Sequence, residues 1–314
     1  MQKRYELGEL NDNPGIVFII IILTVIVSIS ILIWAKYYSN SPVPKIEGTT
    51  IQLDAHNIPT LQLGHYALWT LNQEGIYKFQ KRFNTVNAEL VSLDGSRLEE
   101  LVIGNISIPK EYMVTIEEEG DRDEEPGLNF MNGLLNGNSA NLRFKLTNPE
   151  NPSSFILASP TDGNNTINEE SGLWFTNNQN TGSLNLPELP DGFSFEARVI
   201  HLKSNTDMRI GSFAQFDGED DLSIFSLTEK GFKYPGEDFL TNLPANLEAP
   251  LNLANGDFQV IISIEPNIDG VDMTGEQIFS ELFHADIPKE LEPYTSHPLE
   301  YTFIPTELNI KIND

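Results

Sequence analysis

Phe193-Ser194-Phe195-Glu196-Ala197-Arg198-Val199 alternates apolar and polar side chains with a period of two. An extended chain puts Phe193, Phe195, Ala197 and Val199 on one face and Ser194, Glu196 and Arg198 on the other. Four further stretches repeat the pattern: Tyr112, Val114 and Ile116; Leu142, Phe144 and Leu146; Phe258, Val260, Ile262 and Ile264; and Leu308, Ile310 and Ile312. One apolar and one polar face predicts half-buried antiparallel strands. Turn pairs separate them, at Asp94-Gly95, Asn136-Gly137, Asp162-Gly163, Asp217-Gly218 and Asn255-Gly256. Short strands divided by Gly and Asn turns predict an all-β protein built from two tandem antiparallel β-sandwich (Ig-like) domains.

The two domains follow from an internal repeat. In the first copy, Gly64-His65-Tyr66-Ala67-Leu68-Trp69 leads to Phe83, then to Val114-Thr115-Ile116-Glu117, and then through an acidic turn to Phe130. In the second, Gly192 to Arg198 leads to Phe213, then to Ile262-Ser263-Ile264-Glu265, and then to Phe279. This alignment matches Trp69 with Arg198, Phe83 with Phe213, Glu117 with Glu265 and Phe130 with Phe279. The second copy is longer in the middle, and the Pro-containing stretch Tyr234 to Leu251 reads as a loop insertion.

Ahead of the repeat, Ile16 to Trp34 is uncharged, and 15 of its 19 residues are Ile, Leu, Val or Phe. As a helix it would measure about 28 Å, close to the thickness of a hydrocarbon core. Trp34, Tyr37 and Tyr38 suit the headgroup level, and Lys36 can extend to it. The run is long for a cleaved signal peptide, and Tyr37 to Pro42 makes a poor cleavage site. The expected order is a cytoplasmic N-terminus (1–15), a single transmembrane helix (16–35), a stalk (36–50) stiffened by Pro42 and Pro44, domains over 51–150 and 151–290, and a last strand or tail over 291–314. The large C-terminal part would then lie outside the cell membrane.

Charge narrows the partners. The 314 residues hold 46 Asp and Glu against 19 Lys and Arg, a net charge of −27. Lys3 and Arg4 against Glu6, Glu9 and Asp12 leave residues 1–35 at −1, so −26 belongs to the remainder. Such a surface repels nucleic acid, whose binding depends on cationic side chains. With no cysteine there is no disulfide, zinc–thiolate site or thiol nucleophile. The 18 Phe, 9 Tyr and 3 Trp supply a core large enough to stand without such staples.

The second copy carries a family resemblance. Leu189-Pro190-Asp191-Gly192-Phe193-Ser194-Phe195-Glu196-Ala197-Arg198, then Ile210-Gly211-Ser212-Phe213, then Ile262-Ser263-Ile264-Glu265-Pro266, then Thr274-Gly275 resembles the extracytoplasmic domain of anti-sigma-K factors over about 90 residues. The Trp usual in that family's first strand is Arg198 here, while Trp69 holds the place in the first copy. The resemblance implies a membrane-anchored, outward-facing β domain. It does not extend to sigma binding, because only 15 residues precede the apolar run and they contain no His/Cys motif.

Chemistry is sparse. His56, His65, His201, His284 and His297 form no local ligand pair, and no nucleophile elbow or phosphate loop occurs. The expectation is a non-enzymatic protein without a cofactor. Acidic loops offer oxygen donors for calcium at Asp121 and Asp123, at Asp162 and Asn164, and at Asp217 and Asp220, although none has the spacing of an EF-hand. Asn105 and Asn164 fit the glycosylation triplet. The expected role is binding, adhesion or envelope structure through a protein partner outside the cell. The alternative is a regulatory ectodomain that signals through its helix.

Overall fold

The computed structural model describes residues 48–104, 109–163, 165–177, 181–227, 231–268, 271–272 and 277–313. The apolar run 16–34, the N-terminus before it, the stalk up to 47, Asn105 and Asn164 all lie outside those residues. Among the described residues no helix is long and apolar enough to cross a membrane.

The chain is all-β, with two sheets in one compact unit over 48–314. The first half supplies β1 (Gly48–His56), β2 (His65–Leu71), β3 (Tyr77–Val86), β4 (Glu89–Ser92), β5 (Glu100–Gly104), β6 (Glu111–Glu117), β7 (Leu128–Leu134) and β8 (Ser139–Phe144). The second supplies β9 (Ser153–Leu157), β10 (Gly172–Trp174), β11 (Phe193–His201), β12 (Thr206–Phe213), β13 (Gly236–Asp238), β14 (Phe258–Ile268), β15 (Val271–Asp272), β16 (Ser280–Asp286) and β17 (His297–Tyr301). Last comes β18 (Thr306–Ile312).

Each sheet is one continuous antiparallel array. The first runs β4-β3-β2-β6-β7-β8-β18-β1-β5, and the second β12-β11-β14-β16-β17-β9-β10-β13, with β15 beside β14. Apart from β4 and β15, the two orders match strand for strand. The registers match as well. Tyr66 faces Ile116 and Phe83, as Phe195 faces Ile264 and Phe213. Bulges fall at equivalent places, between Leu68 and Trp69 and between Ala197 and Arg198, and again between Val114 and Thr115 and between Ile262 and Ser263. A bulge inserts one residue and re-aims the strand, so equivalent bulges preserve the inward and outward sense of everything beyond them.

Four sequence expectations change. Residues 291–314 carry two strands, not one, and these lie in different sheets: β17 beside β9, and β18 between β8 and β1. Gly48 to Thr50 belong to β1, not to a stalk. The stretch read as a loop insertion contains β13, which pairs with β10. The equivalent of Phe130 is Leu282, not Phe279, because Val114 faces Met131 where Ile262 faces Phe283. The connection after Glu265 is four residues longer than the one after Glu117, where matching Phe130 with Phe279 allowed for only one.

Alternation holds at β8 and β18, where every second residue is buried. It fails at β2, β6, β11 and β14, whose central residues are buried on both faces. There, large side chains cover the second face: Trp69 edge-to-face with Phe79 in the first sheet, Arg198 paired with Glu196 in the second. One hydrophobic core spans both sheets. Its aromatic bridge joins Phe130 and Phe144 to Phe193 and Phe279, with ring centroids 5.1 Å apart for Phe144–Phe193 and 5.3 Å for Phe130–Phe279.

Both sheets are tied end to end. In the first, Leu98 N donates to Leu90 O (2.9 Å) and Leu53 N donates to Glu99 O (2.8 Å), so one short segment joins β4 to β1. In the second, Asp221 N donates to Ser212 O (3.1 Å) while Asp220 accepts from Gly236 N (2.8 Å), joining β12 to β13.

Candidate functional site

The Asp220-Asp221 pair that ties the second sheet also lines a cleft beside it. Asp221 meets both backbone groups of Ser212 in β12, since its carboxylate also accepts from Ser212 N at 2.6 Å. Asp220 accepts from Leu222 N (3.1 Å) as well as from Gly236 N. The loop so anchored bounds a cavity of about 270 Å³, whose walls include Asp220, Trp174, Phe232, Tyr234, Ser223 and Ser226.

Trp174 is set by backbone rather than by neighbouring side chains alone. A β-carbon on Gly231 or Gly236 would run into its indole ring, so both glycines are needed for the close approach. Phe232 meets the ring edge-on at 5.3 Å. Beneath it, Trp174 Nε1 donates to Asp238 Oδ1 (2.7 Å), and Asp238 Oδ2 accepts from Thr161 N (2.7 Å) and Thr161 Oγ1 (2.5 Å). Ser226 Oγ donates to Glu237.

Three carboxyls therefore crowd a half-dry region. Burial pushes Asp220 up to about 7, against the hydrogen bonds from Gly236 and Leu222; the charges of Glu237 and Asp221 add to the rise. Burial likewise takes Asp238 to about 6, against the bonds from Thr161 and Trp174. Glu237 is raised for the same first reason. Only Asp220 of the three lines the cavity. A carboxyl that titrates near neutrality beside aromatic walls can hold a cation when ionised, or donate a hydrogen bond when protonated.

The acidic residues singled out from sequence divide. Asp162 ends the 3-10 turn Pro160–Asp162 next to Thr161, and Asp220 lines the cleft, so two of the loops do converge here. Asp162 is raised above its ordinary value by burial and by the charge of Glu169. Asp217 is exposed and does not line the cavity, and Asn164 lies outside the described residues. Asp121 and Asp123 belong to the β6–β7 connection of the other sheet. There Asp121 Oδ1 accepts from Asp123 N and Asp123 Oδ1 from Glu125 N, each at 2.9 Å, so these carboxylates cap local turns. Among the described residues no three His, Asp or Glu side chains are grouped so as to hold a metal ion. Sequence reasoning missed Trp174, Glu237 and Asp238. The last two lay in the stretch read as an insertion, and no motif or spacing pointed to them.

A second polar constellation occurs once in each sheet. Glu117 accepts from Thr115 Oγ1 and from Gly127 N (3.1 Å), and Trp69 Nε1 donates to Thr115 Oγ1 (2.8 Å). Glu265 accepts from Ser263 Oγ (2.5 Å) and from Phe279 N (3.2 Å). Where Trp69 stands in the first sheet, the second has Arg198, whose guanidinium reaches Glu196 (2.5 Å), Asp207 (2.9 Å) and Glu265 (3.9 Å). Burial raises Glu117 above its ordinary value. These groups are enclosed in the sheets, so their chemistry serves the fold.

No protein family matches the chain, and no curated protein or solved structure does so either.

Proposed function

We propose that this protein is a membrane-anchored, extracytoplasmic binding protein in which Ile16–Trp34 crosses the bilayer and the two-sheet β unit is held outside. It is not an enzyme on this reading. The ligand site is the cleft of the second sheet, and its ligand is a cationic side chain or amine on a protein partner. The observation that carries this reading is the sharing of one cavity by Asp220 and Trp174, with Phe232 and Tyr234 beside them. Aromatic faces attract a partly desolvated cation, and an adjacent carboxylate supplies the countercharge. The net charge of −27 would speed the approach of such a partner at low salt.

A short oligolysine peptide is a suitable probe. Titration into the full chain in detergent should change the fluorescence of Trp174 in a salt-sensitive way, and Trp174→Phe or Asp220→Asn should remove the response. An unchanged spectrum at millimolar peptide would overturn the cleft assignment. The regulatory alternative, which follows the anti-sigma resemblance, requires instead a partner held by residues 1–15. Co-purification that survives deletion of residues 1–36 argues against it.

A further inference from the structure

One end of the first sheet combines exposed apolar side chains with a slight excess of cationic ones. The β2–β3 hairpin tip, Lys110, the β7–β8 turn, the end of β18 and the start of β1 are stitched together there by backbone bonds. Lys110 N donates to Leu71 O (2.8 Å), Leu135 N to Lys110 O (3.0 Å), Ile312 N to Asn138 O (2.8 Å) and Asn313 N to Thr50 O (2.9 Å). The end so formed exposes large apolar side chains: Ile76 is 62% and Leu134 63% exposed, with Tyr77 next to Ile76 in sequence. Its described charged residues are Lys78, Lys110 and Lys311 against Glu74 and Glu111, a slight cationic excess on a chain where acids outnumber bases more than two to one.

This is also where the chain arrives from its apolar run. Gly48 begins β1 at this end, paired with Gly104. Only residues 35–47 separate it from Trp34. Thirteen residues span at most about 45 Å when extended and about 20 Å as a coil, so the tether keeps this end near any bilayer that the run occupies. Exposed Ile, Leu and Tyr with flanking lysines is the chemistry of a headgroup-level contact.

We propose that this end of the first sheet, through Ile76, Tyr77 and Leu134 with Lys78, Lys110 and Lys311, rests on the lipid surface from which the chain emerges. The inference depends on the anchor reading above, and the two can be tested apart. Because the chain has no cysteine, Ile76→Cys and Leu134→Cys each create a single labelling position, and Val86→Cys and Ile304→Cys do the same at the opposite end of the sheet. The full chain, carrying a fluorophore at one position, is reconstituted into phosphatidylcholine–phosphatidylglycerol vesicles with headgroup-spin-labelled lipid. Flotation reports the anchor. Quenching several-fold stronger at positions 76 and 134 than at 86 and 304 supports the lipid contact. Flotation with equal quenching at all four positions overturns it and leaves the anchor intact. Flotation without lipid quenching, and with thiol crosslinking between two copies of the Ile76→Cys variant, overturns it in favour of a dimer face. Failure to float overturns both readings.

Discussion

Glu117 and Glu265 stand at the same register position in two different sheets. Each lies beside the equivalent residue of the neighbouring strand, His65 or Ser194, and each accepts a hydrogen bond from the hydroxyl two residues before it. Each also accepts one from the backbone N–H of the residue just before the strand that pairs on its other side, Gly127 before β7 or Phe279 before β16. What differs is the third neighbour, a neutral indole in one sheet and a guanidinium in the other.

That difference sets different costs for removing the charge. Glu117→Gln should lower stability by less than about 1 kcal/mol, since burial already disfavours the ionised form and the amide oxygen can accept the same bonds. Glu265→Gln should cost about 1–3 kcal/mol, because Arg198 loses one of three anions inside the protein. Urea unfolding of the two variants measures the contrast; equal losses would contradict it.

Arg198 itself is buried together with Glu196. Arg198→Ala should cost about 3–5 kcal/mol, chiefly by leaving the Glu196 carboxylate with less countercharge. The first sheet fills the equivalent places with Ala67 and Trp69, which pack with Met113 and Phe79. The double variant Glu196→Ala with Arg198→Trp should therefore recover much of that loss, a non-additivity readable in a double-mutant cycle.

The cleft predicts a pH dependence. The folded value of Asp220, about 7, lies above its ordinary value of 3.8. Folding therefore favours the protonated form: the stabilisation is complete below the ordinary value and is lost as pH rises through about 7. Asp238, at about 6, acts in the same direction. Tm should fall between about pH 4 and pH 7, and Asp220→Asn, which resembles the protonated state, should make that fall shallower. A slope unchanged by the substitution would count against the burial of this carboxyl.

Strand β18 closes the first sheet although it is the last element of the chain. Deleting residues 303–314 removes the partner of both β1 and β8, along with Leu308 and Ile310 from the core. Amide exchange should then quicken in β1 and β8 well before it does in β14, whose neighbours β11 and β16 are untouched. Uniform loss of protection would mean that the sheets unfold as one unit.

The strands were largely legible because period two is a local property: the stretches around 193–199, 258–264 and 308–312 each contain the evidence of their own conformation. The repeat was legible where it rests on matched side chains, from Tyr66 and Phe195 to Glu117 and Glu265. It slipped at Phe130, where the connections differ in length. The cleft was not legible, since Thr161, Trp174, Asp220 and Asp238 come from four separated segments and none forms a motif with its own neighbours.

The sequence by itself determined an all-β chain with an acidic surface, a cysteine-free core and a separate apolar run near its start, because composition and alternation act residue by residue. Only the tertiary structure decided that the last strand belongs to the first sheet, that central strands are covered on both faces, and that two distant acidic loops meet at Trp174. Those features arise from hydrogen-bond pairing and side-chain packing between residues far apart in the chain. Alternation specifies which residues can face a core, but not which strand will lie alongside.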